Sequence, residues 1–241
     1  MGNGFKDLKI NGIGQVAGGV YGSIVADGLA TINGDVVCDS LTSNGTLKVK
    51  KSIEAGKLRM NGTGSASESI RGGELRVDGM LKVDGHVRFV EMDINGMLTV
   101  NGGIAGEHAK VDGGMKTREN AEFESLKVHG QIRAGGMINA GELEILLEGN
   151  SQAREIGGER IVVKRKLASP RRLLSLLSSS LAARLSADSI EGDIVELEET
   201  RATIVRGNIV KVGPGCEIER IEYRQHCEID PRASVRSVEQ V

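Results

Sequence analysis

Along the first 150 positions, apolar residues recur in pairs two apart. Ile24 and Ala26, Leu58 and Met60, Leu75 and Val77, Met92 and Ile94, and Leu126 and Val128 form one set. Leu47 and Val49, Leu81 and Val83, and Leu98 and Val100 form a second. A third column runs Val36, Ile53, Ile70, Val87, Ile104, Ala121 and Ile138, with companions Cys38, Ala55, Phe89, Phe123 and Ala140. Spacing of two turns both members of a pair to one face of an extended strand. The pattern therefore predicts three short strands in every 17 residues.

Glycines mark the same interval. Gly28, Gly45, Gly62, Gly79, Gly96, Gly113 and Gly130 lie 17 apart. They follow Asp27, Asn44, Asn61, Asp78, Asn95, Asp112 and His129, so an Asx-Gly pair recurs six times and gives way to His-Gly at the seventh. Such pairs tolerate positive φ, which a tight corner is expected to need. A fixed repeat of this length is the mark of a solenoid. One coil buries too few side chains to offset the entropy of ordering its backbone, and stacking supplies the missing contacts and hydrogen bonds. Leu8-Lys9-Ile10-Asn11-Gly12 reads as the same unit one coil earlier at a 16-residue step, and Leu143-Glu144-Ile145 continues the register. The fold class expected is all-β, a β-solenoid of triangular 17-residue coils. About nine coils over residues 1–149, at roughly 4.8 Å each, would make a rod of about 40 Å.

The pattern changes after Gly149. Residues 150–187 hold a strand-like run, Ile161-Val162-Val163, then Ser169-Pro170, which reads as a helix cap with proline in the first turn. Leu173, Leu177, Leu181 and Leu185 fall on one helical face beside Leu174 and Leu176, predicting an inserted amphipathic helix over 170–186. Strand patterning resumes over 188–241, in Ser189–Ile194, Thr203–Gly207, Ile209–Gly213 and Ile218–Tyr223. Two or three further coils and a C-terminal tail are expected there, stacked on the first nine or folded beside them.

Composition narrows the functions. Glycine numbers 34, about twice the usual share, against two Tyr, three Phe and no Trp. Such an interior has to be narrow and aliphatic. With 31 basic and 33 acidic residues the formal charge is −2, which offers no global field to nucleic acid. Cys38, Cys216 and Cys227 are an odd, sparse set that reads as reduced thiols. The N-terminus lacks a secretion-signal stretch, no apolar run reaches a membrane span, and Lys6 stands where a myristoylation motif wants Ser or Thr. The sequons at Asn44 and Asn61 are then only turns. A cytoplasmic protein is expected.

No enzyme is expected either. His86, His108 and His129 occupy three different phases of the repeat and His226 lies in the tail, so no histidine metal set is anticipated. Asp78 and Asp84 read as corner residues rather than an acid–base pair, and Gly12-Ile13-Gly14 lacks the helix or Gly-Lys-Ser/Thr ending of a nucleotide loop. Catalytic, cofactor and metal residues are thus none. A hexapeptide-repeat acyltransferase would want an 18-residue coil and a catalytic histidine, whereas this period is 17, divided 6, 6 and 5.

The repeated apolar-x-apolar-Asx-Gly unit, as in Leu75-Arg76-Val77-Asp78-Gly79-Met80-Leu81-Lys82-Val83-Asp84-Gly85, resembles that of bactofilins, bacterial polymer-forming cytoskeletal proteins. The resemblance covers residues 8–147 well and 188–223 loosely. It implies a right-handed β-helix that polymerises end to end without nucleotide, often at the inner face of the cytoplasmic membrane, as a scaffold for cell shape, division, polar organisation or motility. The longer solenoid and the helical interruption depart from that family's basic pattern. Independently of it, a solenoid exposes apolar cross-section and strand edges at its ends. The repeat begins within about eight residues of Met1, leaving little chain for a cap, so end-to-end self-association is expected. The alternatives are a capped monomer with Phe5 over the end and a non-polymerising adaptor for partner proteins.

One further contact is indicated by the segment around the expected helix. Arg160, Lys164, Arg165, Lys166, Arg171, Arg172 and Arg184 place seven positive charges about its apolar face. Arg171, Arg172, Leu173, Leu177 and Leu181 are candidates for contact with a membrane surface or partner, with packing of the leucines on the solenoid as the other reading.

Overall fold

The computed structural model describes residues 5–166 and 183–241, which are parallel strands joined by short turns, with no helix among them. The chain divides into two compact units, Met1–Glu124 and Ser125–Val241. Each is a β-solenoid.

In the first unit one coil is typified by residues 53–69. An eight-residue strand, Ile53–Met60, leads through Asn61-Gly62 into a four-residue strand, Thr63–Ala66, and three residues then turn the chain into the next coil at Ile70. The long strand is two sides of the triangle. Its side chains alternate buried and exposed except at Gly56 and Lys57, where two consecutive exposed residues bend the strand and restart the alternation. Three pairs thus point inward: Ile53 and Ala55, Leu58 and Met60, Gly64 and Ala66.

Stacking is parallel and in register. Ile53 lies beside Val36 and Ile70, Leu58 beside Leu41 and Leu75, and Met60 beside Ser43 and Val77. The first coil enters at a 16-residue step, with Leu8 beside Ile24 and Ile13 beside Leu29.

The interior column Cys38, Ala55, Gly72, Phe89, Gly106, Phe123 explains how two aromatic rings fit a narrow core. A Cβ on Gly72 would meet the Phe89 ring at 2.8 Å, and one on Gly106 would approach the Phe123 ring at 3.4 Å. Each ring spreads into the space of a neighbouring glycine, and Phe89 is 1% exposed. Gly64 makes room in the same way for the end of Met60.

The second unit uses longer strands. Met137–Leu147, Glu155–Arg165, Leu185–Leu197, Thr200–Val212, Glu217–Ile229 and Ser234–Gln240 stack in that order. Ile138, Ile156, Ile190, Val205 and Ile221 form one buried column, with the pairing of Ile156 to Ile190 passing over the segment 167–182. Residues 188–229 therefore stack directly on the coils that begin at Met137, which answers where the later strands go. Between these strands the register shifts at Gly207 to Ile209, as a bulge against Tyr223–His226.

Most of the helix expected over 170–186 lies outside the described residues. Its last four positions, 183–186, are described and differ from expectation. Leu185 and Ser186 open the strand Leu185–Leu197, where Leu185 pairs with Ser151 and Thr200 and is fully buried. Pairing on both edges outweighs the helical spacing of the leucines, since the strand satisfies backbone and side chain together.

Candidate functional site: stacked corners and end coils

In the first unit the Asx-Gly corners form a ladder along one edge. The Asn44 side-chain amide donates to Asp27 Oδ1 at 2.7 Å, that of Asn61 to Asn44 Oδ1 at 2.6 Å, and that of Asn95 to Asp78 Oδ1 at 2.8 Å. Asp78 also accepts from Arg76 at 2.8 and 3.1 Å and from Arg59 at 3.4 Å. The Arg76 guanidinium, helped by the Asn95 amide, holds the Asp78 carboxyl down at about 2. A second corner is tied in the same fashion. Asn101 donates to Asp84 Oδ1 at 2.8 Å, Ser52 Oγ to Asp35 at 2.5 Å, and the Gly103 N–H to His86 Nδ1 at 2.9 Å. The Ser52 hydroxyl and N–H lower the Asp35 carboxyl below its usual range. Asp78, Asp84 and His86 are thus bound into corners.

The corner glycines are required for a reason other than the one expected. Gly28, Gly45, Gly62, Gly79, Gly96 and Gly113 do not have positive φ; among the described glycines that state belongs to Gly12, Gly19, Gly130 and Gly215. Instead, the carbonyl of the glycine one coil earlier, from Gly12 under Gly28 to Gly96 under Gly113, accepts the N–H that follows each corner glycine, as from Thr63 to Gly45 and from Met80 to Gly62, both at 2.9 Å. A Cβ on the overlying glycine would sit under 3.0 Å from that same oxygen at all six positions. Backbone contact between coils, not turn conformation, excludes side chains there. Gly130 has φ 148 and lies buried within the strand Ala121–Ala134, so the seventh position is no corner of this kind.

The terminal coils are the other feature. Leu8–Ile10 and Ile13–Val16 each pair along one edge only among the described residues. Around them Phe5 is 47% exposed and Ile13 88% exposed, with Val20 and Leu29 about half exposed. In the second unit Ser234–Gln240 pairs with Glu217–Tyr223 and has no strand on its other side among the described residues. Val238 and Val241 are exposed beside it.

Arg171, Arg172, Leu173, Leu177 and Leu181 lie outside the described residues. Four of the flanking charges are matched by glutamates: Arg160 with Glu196 at 3.6 Å, Arg165 with Glu199 at 3.0 Å, Arg184 with Glu217 at 3.0 Å, and Lys166 with Glu148. All three cysteines are free, and burial pushes the Cys38 and Cys216 thiols up to about 11, where they are poor nucleophiles. The four histidines stand on separate elements. Sequence reasoning nevertheless missed a mixed cluster, Glu107, His108 and Glu124, whose signal was available: Glu107 and Glu124 are one repeat apart and His108 adjoins the first. No helix among the described residues is long and apolar enough to cross a membrane.

These features define a β-solenoid protein with a hydrogen-bonded Asx ladder and terminal strands that are paired on one edge only among the described residues. No family model and no solved structure matches the chain. It is similar to two Bacillus subtilis (strain 168) proteins, YhbF, 42% identical over 102 residues, and YhbE, 41% identical over 106 residues, both described as uncharacterized. The matches cover 42% and 44% of this chain and 40% and 43% of those proteins, so the chain spans about two fifths of the length of the curated relatives it matches.

Proposed function

We propose that this chain is a structural scaffold that self-assembles through its solenoid ends, without nucleotide or enzymatic activity, in the manner of the bactofilins its repeat resembles. The observation that carries this reading is the strand edge at Leu8–Val16, unpaired among the described residues, with Phe5, Ile13, Val20 and Leu29 exposed on that coil and the next. Unpaired edges beside apolar side chains are templates for further strands. Buried thiols and corner-bound carboxylates support a non-catalytic role. In this reading the filament is cytoplasmic, with peripheral membrane contact through Arg171, Arg172, Leu173, Leu177 and Leu181, and serves cell shape, polar organisation or motility.

Negative-stain microscopy and sedimentation of the purified chain test it. Filaments are expected that persist with nucleotide removed, and Ile13→Lys with Leu29→Lys is expected to leave a folded, slowly sedimenting species. A monodisperse monomer at all salt concentrations overturns the reading. One observation favours a non-polymerising adaptor instead. The second unit carries a groove of about 820 Å³ walled by Gly157, Gly158, Gly192 and Gly207 and bordered by Arg206, Arg220 and Glu222.

A further inference from the structure

In-register stacking brings residues one repeat apart side by side, so charged columns are stable when signs alternate. The first unit obeys this only in part, since Arg59 lies beside Arg76, Arg71 beside Arg88 and Glu74 beside Glu91. Lys51 faces Glu68 at 3.8 Å, Lys57 faces Glu74 at 2.8 Å, and Arg71 faces Glu54 at 2.6 Å. Glu107 and Glu124 are a further like-charged pair, and this one has a histidine, His108, beside it. The two coils are held together there by the Glu124 N–H, which donates to the Glu107 carbonyl at 2.9 Å, and both carboxylates are exposed on the same face.

His108 completes the cluster. One oxygen from each glutamate and one imidazole nitrogen all lie within 4.8 Å of one another. Among the described residues none of the three side chains has an ion pair or hydrogen bond, so their donor atoms remain available. Glu91, in register with His108 on the preceding coil, adds a further carboxylate to the patch. The local backbone also departs from the repeat. The eight-residue strand of the preceding coils is here split into Ile104–Ala105 and His108–Val111, with Gly106 and Glu107 between them.

We infer that Glu107, His108 and Glu124 form a binding site for a divalent transition metal of the zinc class. Two carboxylate oxygens and one imidazole nitrogen are a donor set suited to Zn²⁺, which accepts three protein ligands and leaves a fourth position to water. Small rotamer changes of exposed side chains bring the donors to the ~2 Å bonding distance. The ion neutralises the stacked carboxylates and clamps the coil carrying Glu107 and His108 to the coil carrying Glu124. The imidazole selects against calcium and magnesium, which take oxygen ligands.

Calorimetric titration of the full chain with zinc chloride tests the site, with calcium chloride as the comparison. Saturable zinc binding is expected, weakened about ten-fold or more in His108→Ala and in Glu107→Gln with Glu124→Gln, and unchanged in His86→Ala and His226→Ala. Zinc is also expected to raise the melting temperature of the wild-type chain and not that of His108→Ala. All substituted positions are exposed, and circular dichroism checks that each variant is folded. Zinc binding that survives His108→Ala overturns the proposal, as does calcium binding as tight as zinc or no zinc binding by the wild-type chain.

Discussion

At Gly79, a single hydrogen separates a stacked corner from a broken one. Its Cα hydrogen points at the Gly62 carbonyl, which already accepts the Met80 N–H. Gly79→Ala leaves the oxygen no room and the backbone no slack, so a loss of about 2–4 kcal/mol is expected in denaturant unfolding. A value under about 0.5 kcal/mol would mean that the coils separate more easily than their hydrogen bonds suggest. Asp78, beside it, links stability to pH. Its carboxyl titrates at about 2 in the folded chain against 3.8 for the free group, so its contribution is fully present above the higher value. It is lost as pH falls from about 4 through about 2. Melting temperatures measured across that range should drop less in Asp78→Asn than in the wild type, because the substituted amide no longer titrates.

Single strands show why packing and sequence pattern agree in some places and part in others. The alternation in Ile53–Met60 and Thr63–Ala66 made the strands, their order and the 17-residue stacking legible, because each inward pair is apolar and each outward neighbour polar. Nothing in the alternation revealed why Gly72 and Gly106 interrupt an inward column. Their purpose belongs to Phe89 and Phe123 on other coils. Leu185 misled for a related reason: its spacing to Leu181 suits a helix, and its partners Ser151 and Thr200 are distant in sequence. The Glu107, His108 and Glu124 cluster is hard to read from sequence because it holds a single histidine, and stacking is what places its two carboxylates together. Phe89→Ala is expected to cost about 3–5 kcal/mol, as for other buried Phe. The glycine beside it leaves the cavity without a side chain to fill it. Gly72→Ala in the Phe89→Ala background should not recover that loss, since the new methyl still meets the Ala55 carbonyl; denaturant unfolding of the double variant checks this.

Within each solenoid unit, stability is a sum over neighbouring coils, so whole coils should be removable. Excising residues 53–69 joins Ser52 to Ile70 and stacks Ile70 on Val36, with every inward column continuous. The shortened chain is expected to keep its β-rich circular dichroism and to melt cooperatively. Excising residues 53–60 instead removes two sides of one triangle, and that variant should fail both measurements.

The coils are nevertheless not interchangeable. Phe89 needs glycine at the same station on the preceding turn, and Gly72 provides it; were the chain to skip a turn while winding, the ring would be driven against Ala55. Two phenylalanines thus act as addresses in a nearly uniform text, telling the growing stack which winding comes next and penalising threading errors that the glycine and aliphatic columns alone would tolerate.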